Sequence, residues 1–165
     1  MIKLLVLDVD GTMTNGKITY SNSGEELKSF CVKDGLAIAT WKKMGKKTAI
    51  ITGRESKIVE NRAKELKIDY LYQNCKQKMQ KVQEILDKEN LSWENVAAIG
   101  DDINDYNMLK MAKMAFTPKD GSHLLDGVAK RLNFRGGEGA VREMIEEILI
   151  SQGEMEEFIN LWVSN

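Results

Sequence analysis

Leu4-Leu5-Val6-Leu7-Asp8-Val9-Asp10-Gly11-Thr12 is the stretch that decides the fold. A short apolar run bounded by a glycine reads as a buried strand of a parallel sheet. Side chains two apart on a strand point the same way, so Asp8 and Asp10 are expected to leave the strand end side by side. In an open α/β sheet, ligands bind at the carboxyl ends of the strands. Two carboxylates that close repel one another. A cation is therefore expected beside them, and a divalent metal with hard oxygen ligands meets that need.

Outward from this stretch the pattern repeats. Apolar runs at 3–9, 47–52, 69–73, 96–100 and 114–117 read as strands. Helices are expected at 35–44, 55–66, 77–89, 105–113 and 139–150; in the third, Met79, Val82, Ile85 and Leu86 recur at helical spacing. The alternation predicts a doubly wound parallel sheet with helices on both faces, in one domain over all 165 residues. Segment 17–30 breaks the rhythm. Ile18, Tyr20, Leu27 and Phe30 flank Ser21-Asn22-Ser23-Gly24, the pattern of a hairpin with a glycine-containing turn. An isolated two-stranded hairpin is marginal in water, so this one is expected to pack, for instance on the same hairpin of another subunit. Beyond Gly153, the spacing of Met155, Phe158, Ile159 and Trp162 predicts an extra helix at about 154–163.

With 42% hydrophobic and 30% charged residues, the chain reads as globular. A net charge of −1 argues against a broad nucleic-acid-binding face but not against a local anion site. Cys31 and Cys75 fall in no metal-binding or redox motif and read as reduced thiols. No targeting signal or membrane span is expected, which points to the cytoplasm.

Four segments could carry chemistry. Asp8 can act as a nucleophile, forming an aspartyl-phosphate, with Asp10 protonating the leaving alkoxide and then deprotonating water. Thr52-Gly53-Arg54 ends the second strand with a hydroxyl and backbone N–H groups suited to phosphate oxygens. A lysine at the start of the third helix opposes the helix dipole unless an anion is near; position alone does not choose among Lys76, Lys78 and Lys81. Gly100-Asp101-Asp102-Ile103-Asn104-Asp105 holds three carboxylates in five residues, too many for one helix cap. Asp102 or Asn104 could cap, leaving Asp101 for Mg2+. His123, the only histidine, reads as a surface residue at a helix start.

These motifs, in this order, resemble the haloacid dehalogenase-like phosphohydrolases. The hairpin, Val32-Lys33-Asp34-Gly35, Tyr72-Gln73 and Arg135-Gly136-Gly137-Glu138-Gly139 extend the similarity over most of the chain, to the 3-deoxy-D-manno-octulosonate 8-phosphate phosphatase family. The resemblance implies Asp8 as nucleophile and Mg2+ ligand, and Asp10 as acid/base with its backbone carbonyl on the metal. It implies Asp101 as a further ligand supported by Asp102, and Thr52 and Lys78 on the phosphoryl oxygens. It selects Lys78 over its neighbours. It also implies a homotetramer assembled around the hairpins, a neighbouring subunit covering each site. Arg62 and the 135–139 loop are candidates for that cover, and Gly53, Arg54 and Arg62 for substrate contacts. A nine-carbon 2-keto-3-deoxy acid phosphate is the alternative substrate; relatives that cleave it tend to carry Glu where Arg54 stands, which favours the eight-carbon acid. A phospho-receiver domain also pairs two acids after its first strand with a lysine and Mg2+. It needs a third-strand aspartate where this chain has Gln73-Asn74, and it leaves the second acid cluster unexplained. All the catalytic side chains are present, which argues against a scaffold that only binds.

Overall fold

The computed structural model describes residues 1–163. Strand β1 (Leu4–Leu7) is buried on both faces, and its alternation divides the core into two layers. Leu5 and Leu7 meet Ile38 and Trp41 of α1 (Val32–Lys43) and Val141 and Ile145 of α5 (Ala140–Gln152). Leu4 and Val6 face Val82, Ile85 and Leu86 of α3 (Lys78–Glu89) and Met108 and Leu109 of α4 (Tyr106–Met111). A strand apolar on both sides needs a helical layer on each, which is the doubly wound arrangement.

The other strands are β4 (Lys47–Ile51), β5 (Tyr70–Tyr72), β6 (Val96–Ile99), β7 (Met114–Thr117) and β8 (Lys130–Arg131), in the sheet order β5-β4-β1-β6-β7-β8. Every pairing is parallel. Strand order runs one way from β1 to β5 and the other way from β6 to β8, so it reverses at β1. The crevice above the carboxyl end of β1 is the topological switch point, where such sheets bind ligands.

Three boundaries differ from the sequence expectation. β8 was not foreseen: two residues, both basic, carry no strand signal, yet they pair with Phe116 and Thr117 at the sheet edge. α1 begins at Val32 rather than residue 35 because Asp34 and Gly35 are buried within its first turn. Asp34 Oδ1 accepts the Arg142 N–H of α5 at 2.8 Å, and a Cβ on Gly35 would stand 2.5 Å from Arg62 Nη2. α4 is shorter than its pattern because a 3-10 turn, Ile103–Asp105, takes its first residue and the backbone becomes extended at Ala112.

The hairpin consists of β2 (Thr19–Tyr20) and β3 (Glu26–Leu27), paired antiparallel. It leaves Ile18, Tyr20 and Leu27 exposed at 43%, 61% and 53%, three apolar side chains on one small hairpin. Helix α6 (Met155–Val163) packs on α1 and α5: Phe158 is buried, and Trp162 Nε1 donates to Thr40 Oγ1 at 2.8 Å beneath the Lys43 ammonium. Among the described residues, no helix is long and apolar enough to cross a membrane.

Candidate active site

The ladder of β1 carries on through Asp8, whose N–H donates to the Ile99 carbonyl at 3.2 Å, and the chain turns only beyond it. After Asp8, the N–H groups of Thr12, Met13 and Thr14 all donate to the Val9 carbonyl at 2.9–3.1 Å, so the chain coils into a tight turn with Gly11 at φ +91°. The two carboxylates take different partners. Asp8 is buried, while the Asp10 carboxylate pairs with Lys28 Nζ of the hairpin at 2.5 Å.

Asp8 meets the second acid cluster instead. Asp8, Asp101 and Asp105 each bring a carboxylate oxygen within 4.8 Å of the others. Two glycines permit this approach: a Cβ on Gly11 would stand 2.0 Å from Asp101 Oδ2, and one on Gly100 would stand 2.3 Å from the Asp105 carboxyl carbon. Asp105 is fully buried; its Oδ2 accepts the Asp101 N–H at 3.1 Å and its Oδ1 accepts from Lys78 at 2.6 Å. Asp102 is exposed and caps the 3-10 turn, accepting the Ile103 N–H at 2.7 Å. Of the residues the motif offered, Asp102 thus takes the capping place and lies outside the cluster. Asp105, which the sequence reading left out, lies inside it. The signal for Asp105 was its spacing: four residues beyond Asp101, one turn brings the chain back to the same side.

Lys78 is the first residue of α3, and its ammonium is buried between Asp8 and Asp105, 2.6 Å from each. The two anions supply what a lysine at a helix start requires. Lys76 is exposed, and Lys81 pairs with Glu84 on the surface. Burial opposes the Lys78 charge, but Asp8 and Asp105 outweigh it and hold the ammonium above its ordinary pKa. Burial, then the Asp105 charge, pushes the Asp8 carboxyl up to about 8. The same causes push Asp101 up to about 7. Three acids and one lysine leave the cluster short of positive charge.

Thr52 ends β4 and is buried, its N–H donating to the Tyr72 carbonyl at 2.9 Å. Gly53 and Arg54 follow it to the surface, where Arg54 Nη2 lies 3.3 Å from Glu26 of the hairpin. Gln73 accepts the Ser56 N–H at 2.8 Å, and Ser56 caps α2 (Lys57–Glu65). The place where a receiver domain needs its aspartate therefore serves the turn after β4. Asp69, at the start of β5, binds Thr48 and Lys42 at the opposite end of the sheet. Arg62 lies against Phe30, Cys31 and Glu65, none of them in the carboxylate cluster. The 135–139 loop, expected as cover, is pressed on the turn after β1 of its own chain. Gly137 N–H donates to the Thr12 carbonyl at 3.0 Å, and a Cβ on Gly136 would stand 1.9 Å from the Gly11 oxygen. His123 is exposed and pairs with Asp126.

Carboxylates and a lysine at a parallel switch point, beneath a Thr-Gly turn, define a class that handles a transferable anionic group with a metal. The family model for haloacid dehalogenase-like hydrolases matches residues 28–113, and the chain belongs to that family. Within it, the chain is 40% identical over 157 residues to the 3-deoxy-D-manno-octulosonate 8-phosphate phosphatase KdsC of Escherichia coli K12, covering 94% of this chain and 84% of that one. The structure of the Moraxella catarrhalis 3-deoxy-D-manno-octulosonate 8-phosphate phosphatase, in complex with magnesium ion, phosphate ion and KDO, superposes with a TM-score of 0.93 at 36% identity, over 98% of this chain and 93% of that one. The cobalt-bound deoxy-D-mannose-octulosonate 8-phosphate phosphatase of Haemophilus influenzae gives a TM-score of 0.89 at 32% identity, over 96% and 93%.

Proposed function

We propose that this protein is a Mg2+-dependent phosphatase that hydrolyses 3-deoxy-D-manno-octulosonate 8-phosphate through an aspartyl-phosphate on Asp8. The observation that carries this reading is the buried Asp8–Asp101–Asp105 cluster with Lys78 inserted into it. The relatives' named activity supplies the substrate.

The donor set fits Mg2+: hard oxygens, buried, with more negative charge than Lys78 neutralises. Asp105 has both oxygens engaged, with Lys78 and the Asp101 N–H. Asp8 and Asp101 are therefore the side chains that would hold the ion, and Asp105 the group that aims them. When bound, Mg2+ supplies positive charge to the phosphoryl oxygens and keeps Asp8 ionised. An Asp8 oxygen then attacks phosphorus and the phosphorus–alkoxide bond breaks, with Asp10 donating its proton to the leaving oxygen. In the second step water attacks the phosphorus, Asp10 takes the water's proton, and the Asp8–phosphorus bond breaks, releasing phosphate. Lys78 stabilises the charge that develops on the transferring group, and Thr52 contacts its oxygens. Arg54, exposed in the turn after β4, is a cation available to a substrate that carries a carboxylate as well as a phosphate; Arg62 would have to exchange its pairing with Glu65 to join it.

The exposed apolar hairpin supports a homotetramer in which neighbouring copies cover Ile18, Tyr20 and Leu27. Steady-state kinetics on a panel of phosphorylated eight- and nine-carbon sugar acids and common hexose phosphates tests the substrate. The highest kcat/KM is expected for the eight-carbon acid, with EDTA abolishing turnover. A hexose phosphate turned over faster would contradict the assignment.

The raised carboxyl groups set a pH dependence for the metal. Between about pH 4 and pH 8 the folded protein holds more protons on Asp8 and Asp101 than the unfolded chain does, so metal-free stability falls as pH rises through that window. Mg2+ needs the ionised carboxylates and competes better as pH rises. The gain in melting temperature on adding Mg2+ is expected to be larger near pH 8 than near pH 5.5 in thermal-shift measurements. Equal gains at both would contradict a metal site on these two carboxylates.

A further inference from the structure

We propose that Lys28 of the hairpin is a positioning residue for Asp10; this rests on the acid role of Asp10 proposed above. The Lys28 side chain has no exposed surface, and its Nζ lies 2.5 Å from Asp10 Oδ1 and 3.1 Å from Glu26 Oε1. Glu26 Oε1 is also 3.3 Å from Arg54 Nη2. A chain of charges thus runs from Asp10, in the turn after β1, through two hairpin residues to Arg54, in the turn after β4. Removing an ammonium from water is costly unless the geometry repays it, and a surface hairpin has no structural need to bury one.

Asp10 needs a fixed orientation for a physical reason. It lies outside the Asp8–Asp101–Asp105 cluster, in a turn built around Gly11 at φ +91°. Among the described residues, its only ion pair is with Lys28. A proton donor must be held within hydrogen-bond reach of the oxygen it serves. Lys28 takes Oδ1, which restricts rotation of the carboxyl group and, among the described residues, leaves Oδ2 without an ion pair. Glu26 holds Lys28 in turn, and Arg54 holds Glu26. The segment with the exposed apolar face is thus also the segment that orients the acid, so whatever covers that face steadies the acid too.

The leaving group supplies the test. A sugar alkoxide must be protonated as it departs, whereas 4-nitrophenolate departs without help. Because kcat/KM reports on the steps through phosphoryl transfer to Asp8, it isolates the acid function. Wild type, Lys28→Met, Lys28→Arg and Asp10→Asn are compared on the sugar-acid phosphate and on 4-nitrophenyl phosphate, with Mg2+ present. Lys28→Met is expected to lower kcat/KM on the sugar phosphate by about 100-fold, the size of a misplaced catalytic group, and to leave the aryl phosphate nearly unchanged. Lys28→Arg, which keeps the charge, should recover part of the loss and reads the same ratio if the Met variant folds poorly. A split between substrates in Asp10→Asn but not in the Lys28 variants overturns the Lys28 assignment alone. Equal losses on both substrates in every variant overturn the acid role of Asp10, and the Lys28 assignment with it.

Discussion

Asp8→Asn is expected to eliminate turnover on every phosphate ester, with kcat/KM falling by about 10,000-fold or more, as when a covalent nucleophile is removed. The amide is nearly isosteric and cannot attack phosphorus. Stability separates this loss from misfolding. Burial and the Asp105 charge already favour the uncharged form of Asp8 in the metal-free protein, so a neutral residue there removes repulsion instead of adding it. The metal-free variant should melt at or above wild type, while its Mg2+-induced gain in melting temperature should shrink. Retained activity would reject Asp8 as nucleophile, and a cooperative melt far below wild type would show that the carboxylate was needed for the fold.

Lys78→Met is expected to lower kcat/KM by about 100- to 1,000-fold, the usual effect of removing one preorganised donor from a developing oxyanion. The loss should fall on aryl and sugar phosphates alike, because Lys78 serves the transferring group and not the leaving oxygen. That pattern distinguishes it from Lys28. Lys76→Met and Lys81→Met are the controls. Lys76 is exposed and Lys81 is engaged with Glu84, so both variants should stay close to wild type. If Lys81→Met lost as much activity as Lys78→Met, the charge near the site would be diffuse, and the buried bridge between Asp8 and Asp105 would not explain the choice of lysine.

Much of this was legible in the sequence where periodicity was unbroken. The β1, β4 and β6 runs each ended in the predicted polar group, because a strand buried on both faces must be apolar throughout and change character at its end. The resemblance selected Lys78, which spacing could not, since burial of one lysine among three depends on where α3 meets β1 and β6. Asp105 and Lys28 are the groups that local pattern does not reveal. Alternation along β1 speaks to the direction of Asp8 and Asp10 but not to their partners, which come from α3 for one and from the hairpin for the other. Capping accounts for Asp102, but only the return of the 3-10 turn toward Asp101 brings Asp105 into the cluster, and a turn of three residues leaves no periodicity to read. Lys28 carried no local signal at all: it lies 18 residues from Asp10, and only the fold of the hairpin over the site brings them together.

The most direct measurement is an acid quench of wild-type enzyme turning over substrate labelled with radioactive phosphate, followed by digestion and mapping of the labelled peptide. A hydroxylamine-labile label is expected on the peptide that contains Asp8, formed and discharged at rates consistent with kcat and absent from Asp8→Asn. Turnover with no protein-bound label under any quench, or a label on another residue, would contradict it.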